Sequence, residues 1–278
     1  MSDNGTVFQE RARLGGYREF GVPHDLRGLA AALWSYSRPV GAPPIAGEGH
    51  RLLPDTDLSI ALWTQRDGRG ETLDARLVLI GPIATASFFA PAEGLHVDAV
   101  RIHPEWARDV LGVDPREAVD AVLPFDELSS RRLPRLLRKL AASARPLAEL
   151  AAEVRAMSGD ASREARITGA ALRRLRSSTS RLASIAGALD VSERHLRRLI
   201  RQTAGFGPKH LQRIARLGRA ITLADRQSRP DWASIAADSG YCDQPHMIDD
   251  FRTLAGCTPA ELFSERLLQR MAEISNPS

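Results

Sequence analysis

Apolar positions change their period about halfway along the chain. Between residues 14 and 126 they fall in short runs or alternate at period two, as half-buried strands require. Leu33-Trp34-Ser35-Tyr36, Leu58-Ser59-Ile60-Ala61-Leu62-Trp63, Arg76-Leu77-Val78-Leu79-Ile80 and Ser87-Phe88-Phe89-Ala90 are strand candidates, and His96–Ile102 alternates. Asp55 and Asp57, Asp67-Gly68-Arg69-Gly70 and Gly81-Pro82 supply turns between them. Short strands at roughly even spacing predict an antiparallel sandwich or barrel. From Pro104, and again near Pro115, the pattern turns helical. Leu133, Leu136, Leu137 and Leu140 then form one apolar stripe, and Leu147, Leu150, Ala151 and Val154 another. Arg131, Arg132, Arg135, Arg138 and Lys139 cover the opposite side. These stripes suit either a pair of dimer helices or packing onto the β-rich part.

The last hundred residues carry one architecture twice. Leu182, Ile185, Ala186 and Leu189 make a short helix, and Asp190-Val191 a turn. Ser192 caps a helix running through Leu196, Leu199 and Ile200 to Thr203. Gly205 and Gly207 end it, and Pro208 opens a long helix to about Arg226, roughly 28 Å at about 1.5 Å per residue. Trp232, Ile235 and Ala236, capped by Asp231, begin the second unit. Gly240 stops that helix, because glycine enters the left-handed region cheaply. Asp243 restarts the chain, with Met247, Ile248, Phe251 and Leu254 on one face. Thr258-Pro259-Ala260-Glu261 is a capping box with proline at the first helical position. Helix, tight turn, second helix, repeated across a long connector, is a tandem helix-turn-helix able to place two recognition helices about one DNA turn apart.

Ala236, Gly240, Tyr241, Asp243, Gln244, His246, Phe251, Arg252, Gly256, Thr258 and Pro259 keep the order and spacing of the AraC/XylS family of bacterial transcription regulators, which this stretch resembles. The resemblance covers about residues 179–265. Met247 stands where that family usually has an aromatic residue, and Asp249 and Asp250 where polar or basic residues are common. Leu53-Pro54-Asp55, Gly81-Pro82, Leu111-Gly112-Val113 and a Pro-Phe-Asp-Glu-Leu close at 124–128 resemble, more loosely, a poorly characterised sensor domain of one AraC-type subfamily. The resemblance implies a cupin-like or related β structure that binds an effector or mediates dimerisation.

Charge sharpens the division. Residues 1–128 carry 12 Arg and 19 Asp/Glu, net −7, whereas residues 129–278 carry 26 Lys/Arg and 15 Asp/Glu, net +11. An acidic part joined to one that binds polyanions is the expectation. Lys139 and Lys209 are the only lysines. Arginine suits bidentate contacts to phosphate and guanine, although genomic codon bias yields the same Arg:Lys ratio. The two cysteines, Cys242 and Cys257, argue for a reducing cytoplasm and read as small buried thiols. The polar N-terminus reads as no signal peptide, and no apolar run is long enough to span a membrane.

Candidate chemistry concentrates on the helix that Ser192 opens. Its inward face uses Leu196, Leu199 and Ile200. Arg194, Arg197 and Arg198 share an exposed side with His195 and Arg201 nearby. Lying in a major groove, such arginines bond guanine O6 and N7 together; alone, they would be a solvated basic face. The helix after Asp243 holds Asp243, Asp249 and Asp250 against Arg252, net −2. It is therefore expected to add shape fit, with Gln244 reading adenine, His246 touching phosphate or capping locally, and Asp243 acting as a cap. On the long helix, Lys209, His210, Arg213, Arg216 and Arg219 supply charge, with Lys209, Arg213 and Arg216 the candidates for phosphate. His96 and His103 lack the paired pattern of a cupin metal site, and Cys242 with His246 lacks two further zinc ligands. Some proteins with this kind of DNA-binding domain repair alkylated DNA through an N-terminal cysteine cluster, and residues 1–241 hold no cysteine. No phosphate-binding loop, dinucleotide fingerprint or nucleophile elbow occurs. Trp34, Tyr36, Trp63, Phe88, Phe89 and Trp106 suit either an effector cavity or a core.

The expectation is an α+β chain: a β-rich sensor or dimerisation domain over 1–128, a helical linker over 129–176, and an all-α domain over 177–278 with two helix-turn-helix units joined by a long helix. It would act as an effector-responsive, sequence-specific DNA-binding transcription regulator in a bacterial cytoplasm, associated with the nucleoid when bound, and not as an enzyme. The first unit would dominate DNA contacts. No cofactor, metal or membrane is expected. Double-stranded promoter DNA is the partner, with a small-molecule effector, a homodimer and, for an activator, RNA polymerase left open. A small-molecule-binding protein or enzyme centred on the β domain, and a non-specific DNA-associated protein, are the alternatives.

Overall fold

A computed structural model describes residues 10–14, 16–42, 44, 49–125, 133–177 and 180–275. Arg131, Arg132, the first nine residues and the end of the Pro-Phe-Asp-Glu-Leu close lie outside them. Nine strands are described: β1 (Glu10–Leu14), β2 (Tyr17–Phe20), β3 (Ala30–Ser37), β4 (His50–Leu52), β5 (Leu58–Arg66), β6 (Thr72–Ile80), β7 (Ser87–Phe89), β8 (Leu95–Ile102) and β9 (Val122–Pro124). Seven form an antiparallel sheet ordered β1-β2-β3-β8-β5-β6-β9, and β4 pairs with β7 in a separate ribbon. β8 sits mid-sheet, with Ala99 opposite Trp34 on β3 and Ala61 on β5.

The period-two pattern sorts the side chains. Leu33, Leu58, Ile60, Leu62, Leu77, Leu79, Val100 and Ile102 line one face. Ala61, Val78, Val97 and Ala99 line the other, under Trp34, Trp63 and Phe89. The ribbon covers this second face: Phe89 packs against Tyr36 and Trp63, and His50 lies 3.0 Å from the Tyr36 hydroxyl. Of the aromatics offered for an effector cavity, Tyr36 and Trp63 therefore pack on Phe89 and Trp34 on Tyr17, while Phe88 is exposed beneath Arg51. Trp106 instead joins the core on the first face, donating its indole N–H to Gly28 O at 2.7 Å.

Helices α1 (Leu133–Ala141) and α2 (Pro146–Met157) close the first face with Leu140, Leu150, Ala151 and Val154 buried. Their apolar stripes pack onto the sheet, one of the two uses open to them. α3 (Arg163–Ser177) turns the other way, and its Ala171, Leu172 and Leu175 enter a second core. That core also holds Ile185 of α4 (Leu182–Ala188), Leu196 and Ile200 of α5 (Glu193–Ala204), and Leu211 and Ile214 of α6 (Pro208–Ala224). A third core joins Leu217 and Ala220 of α6 to Ile235 of α7 (Trp232–Ser239), Met247, Phe251 and Leu254 of α8 (Gln244–Ala255) and Leu262 of α9 (Pro259–Ser275). α6 thus contributes one half to each helix-turn-helix core. Its 17 residues span about 26 Å, so one rigid rod fixes both units. Among the described residues no helix is long and apolar enough to cross a membrane.

Candidate nucleic-acid interface

Local chemistry aims the two recognition helices. Ser192 Oγ accepts from the His195 N–H at 3.2 Å, and Asp243 Oδ1 from the His246 N–H at 2.8 Å, so each helix begins on a capped donor. Thr258 and Glu261 close the reciprocal box behind the second unit at 2.7 and 3.3 Å. Gly205, Gly240 and Gly256 end α5, α7 and α8 with φ of 77°, 85° and 72°.

On α5, Leu196, Leu199 and Ile200 point inward, and Arg194, Arg197, Arg198 and Arg201 are exposed. Arg197 pairs with Glu193 one turn back. Arg198 lies 3.1 Å from His195 Nδ1 and donates to Gln202 Oε1 at 3.2 Å. Exposed Lys209 follows at the start of α6. The structure therefore brings the predicted α5 residues together on one outer surface, with Ser192 committed to its cap.

α8 differs. Gln244 and His246 are half-buried near its start, His246 edge-on to Tyr241 with ring centroids 5.3 Å apart; Asp249 and Arg252 are exposed. Asp250, counted above with the outward acids, is 4% exposed and turned onto α6. It accepts from Arg213 Nε at 2.8 Å and Arg216 Nη2 at 3.2 Å. Arg216 also lies over the Tyr241 ring, 5.1 Å from its centroid. Arg219 donates to Arg176 O at 2.8 Å and Ser239 O at 2.9 Å. His210 Nε2 sits 3.1 Å from Ala84 O, and burial holds its pKa below the usual imidazole value. Arg213 and Arg216 are thus internal ties in this structure, and Lys209 is the exposed cation among the five α6 residues named from the sequence. Cys242, expected to be buried, is an exposed free thiol on the turn before α8, while Cys257 is half-buried.

Contacts invisible to local pattern join the sheet to both units. Arg51 of β4 donates to Ala255 O at the C-terminus of α8 (2.8 Å) and to Glu265 Oε2 (3.0 Å), and lies over Phe88. The Ala86 N–H donates to Leu254 O at 2.7 Å.

Residues 185–265 match a family described as a helix-turn-helix domain. They are an AraC-type helix-turn-helix domain. It is the domain of DNA-binding transcription regulators, and it encloses α5, α6 and α8 with every interface candidate. No curated protein matches the chain. Among solved structures, the C-terminal domain of AraT, a response regulator from Geobacillus stearothermophilus, is 27% identical and covers 37% of this chain and 84% of its own, with a TM-score of 0.33. ToxT from Vibrio cholerae O395 is 11% identical and covers 84% of this chain and 96% of its own, with a TM-score of 0.42. Wild-type ToxT from V. cholerae strain SCE256, bound to an unsaturated fatty acid, is 11% identical over 84% of this chain and 94% of its own, with a TM-score of 0.39.

Proposed function

We propose that the chain is a sequence-specific transcription regulator in which α5 supplies most of the DNA affinity and reading, and α8 adds shape fit. One observation carries this reading. The outward face of α5 offers Arg194, Arg197, Arg198 and Arg201, whereas that of α8 offers Asp249 beside Arg252. Arg194, Arg197 and Arg198 would read guanine, each bidentate contact discriminating by about 1–3 kcal/mol. Arg201, Lys209 and Arg252 would hold phosphate, with His195 seating Arg198. Gln244 would read adenine and His246 would touch phosphate. Arg213, tied to Asp250, sets the position of α8 instead of reaching DNA. The sheet half would answer to a small-molecule effector by shifting the population of binding-competent arrangements. Double-stranded promoter DNA in a bacterial cytoplasm is the partner of this reading, with RNA polymerase where it activates.

The test is fluorescence anisotropy of the full chain on its own upstream intergenic duplex and on a scrambled duplex, across a salt series. A preference of about 10³ and a salt slope of several units are expected. Equal affinity for both duplexes, with and without cell extract as a source of effector, would sink the sequence-specific reading.

A further inference from the structure

A cleft of about 230 Å³ lies where the loop entering β5 meets α3 and α6. One wall is apolar, with Leu172 and Leu175 from α3 and Ile214 from α6; the other presents Asp55, Asp57 and Arg176. The loop is fixed, because Asp55 and Ile83 exchange both backbone hydrogen bonds, at 2.8 and 3.1 Å.

The ions of the second wall are unevenly shared. Arg176 is bonded to Asp57 and to the Thr56 hydroxyl, and His103 Nδ1 lies 3.7 Å from the same Asp57 carboxylate. Burial opposes the charge of Asp57, but these partners outweigh it and hold its pKa low; its side chain is 8% exposed. Asp55 is less well served. Its cation, Arg101, is 3.4 Å away but also faces Glu19 at 3.5 Å and the Tyr17 hydroxyl at 3.3 Å. Three carboxylates, Glu19, Asp55 and Asp57, therefore share the two guanidiniums of Arg101 and Arg176; Asp57 also has the His103 imidazole, and Asp55 Oδ1 the Asp57 N–H at 3.1 Å. Behind them Glu105 has its own partner in Arg173 at 3.5 Å. Burial raises the Asp55 carboxyl above its ordinary range, with Arg101 opposing the rise. Yet 34% of its side-chain surface is open, because it faces the cleft.

An under-neutralised carboxylate opposite an apolar wall is the complement of a cation with a hydrocarbon body. We propose that this cleft is a ligand site for a small apolar-bodied amine, its ammonium on Asp55 and its body against Leu175 and Ile214. A dry cavity of about 150 Å³ accommodates a benzene ring, so this volume suits a ring carrying a short aminoalkyl chain. The proposal rests on the effector-responsive reading and gives it a site and a ligand class. The cleft is built from the sheet's entry loop, from α3 and from the rod α6 that carries both recognition units, so occupancy acts on how α6 sits against the sheet.

The test is calorimetric titration of the full chain with 2-phenylethylamine and with the carboxylate 3-phenylpropionate, DNA affinity being measured on the same preparation. One-to-one binding of the amine is expected, with the carboxylate at least about tenfold weaker. Asp55→Asn, which keeps an acceptor but removes the charge, should weaken the amine by about tenfold or more in protein shown to remain folded, and Ala215→Phe, which fills the cleft, should abolish binding. Tighter binding of the carboxylate, no binding of either probe, or an Asp55→Asn protein that binds as well as wild type would overturn the assignment. Specific DNA binding without amine binding would fail the cleft alone, whereas amine binding without DNA binding would fail the regulator reading and leave the cleft standing.

Discussion

Asp249 and Asp250 are neighbours with opposite environments. Asp249 is exposed on α8, while Asp250 is buried between Arg213 and Arg216 of α6. Their roles were partly legible. Met247, Asp250, Phe251 and Leu254 stand at i, i+3, i+4 and i+7, which places Asp250 on the buried stripe, and Arg213 and Arg216 are themselves one turn apart. Counting charge by composition hid this, because it treats every carboxylate on a helix as facing outward. Asp250→Ala would leave two half-buried guanidiniums facing no anion, and should lower stability by about 2–4 kcal/mol in denaturant unfolding. Asp249→Ala should change it by no more than about 0.5 kcal/mol. Equal effects from the two substitutions would contradict the assignment.

Elements were legible wherever a stop signal and a period agreed. Ser192, Asp231, Asp243 and the Thr258–Glu261 box mark the helix starts that the structure shows, and Gly205 and Gly240 the stops; Gly256, not read as a stop, ends α8 in the same way. The long connector ends at Ala224, two residues short of the expected Arg226. There Asp225, the capping residue, still bonds back to Ile221 O while its carboxylate pairs with Arg266 of α9 at 2.6 Å, a partner that helical propensity cannot reveal. β1, β2, β4 and β9 had no signal of their own, being strands of three to five residues; β4 and β9 pair with strands more than 30 residues away, and β1 and β2 form a local hairpin. Gly205 has a further duty: a Cβ there would lie 2.6 Å from Val119 Cγ2, beside the turn at Pro115. Gly205→Ala should therefore cost more than the roughly 1 kcal/mol of an ordinary left-handed position, because α5 must also shift from Val119. A loss of only a few tenths of a kcal/mol in thermal or denaturant unfolding would show that the approach is soft.

Across the whole molecule, the segment after β6 is wedged against both recognition units. Ala84 O meets His210 on α6, and the Ala86 N–H bonds Leu254 on α8, with Arg51 of the ribbon at the same helix end. These partners lie 126 to 204 residues apart, beyond the reach of any local pattern. The charge split between the halves gave no hint of them either, since net charge carries no geometry. Burial lowers the pKa of His210, and likewise that of His50 on the ribbon, with Arg38 adding to the second. A lowered folded-state pKa means that the unfolded chain binds more protons. The stability present above about 6.5 is then lost progressively as the pH falls through that value and through the folded pKa. The unfolding midpoint should drop between about pH 7 and pH 5, and His210→Gln should remove part of that slope. A slope unchanged in His210→Gln would place the pH dependence elsewhere.

The division of labour between the recognition helices is the claim on which the functional account depends. Its most direct test compares Arg197→Ala with Asp249→Ala in duplex binding at fixed salt, each variant checked for an unaltered unfolding midpoint. The account predicts that Arg197→Ala weakens specific binding by about 10- to 100-fold, while Asp249→Ala leaves it unchanged or strengthens it. Equal losses from the two substitutions would mean that α8 reads DNA as strongly as α5.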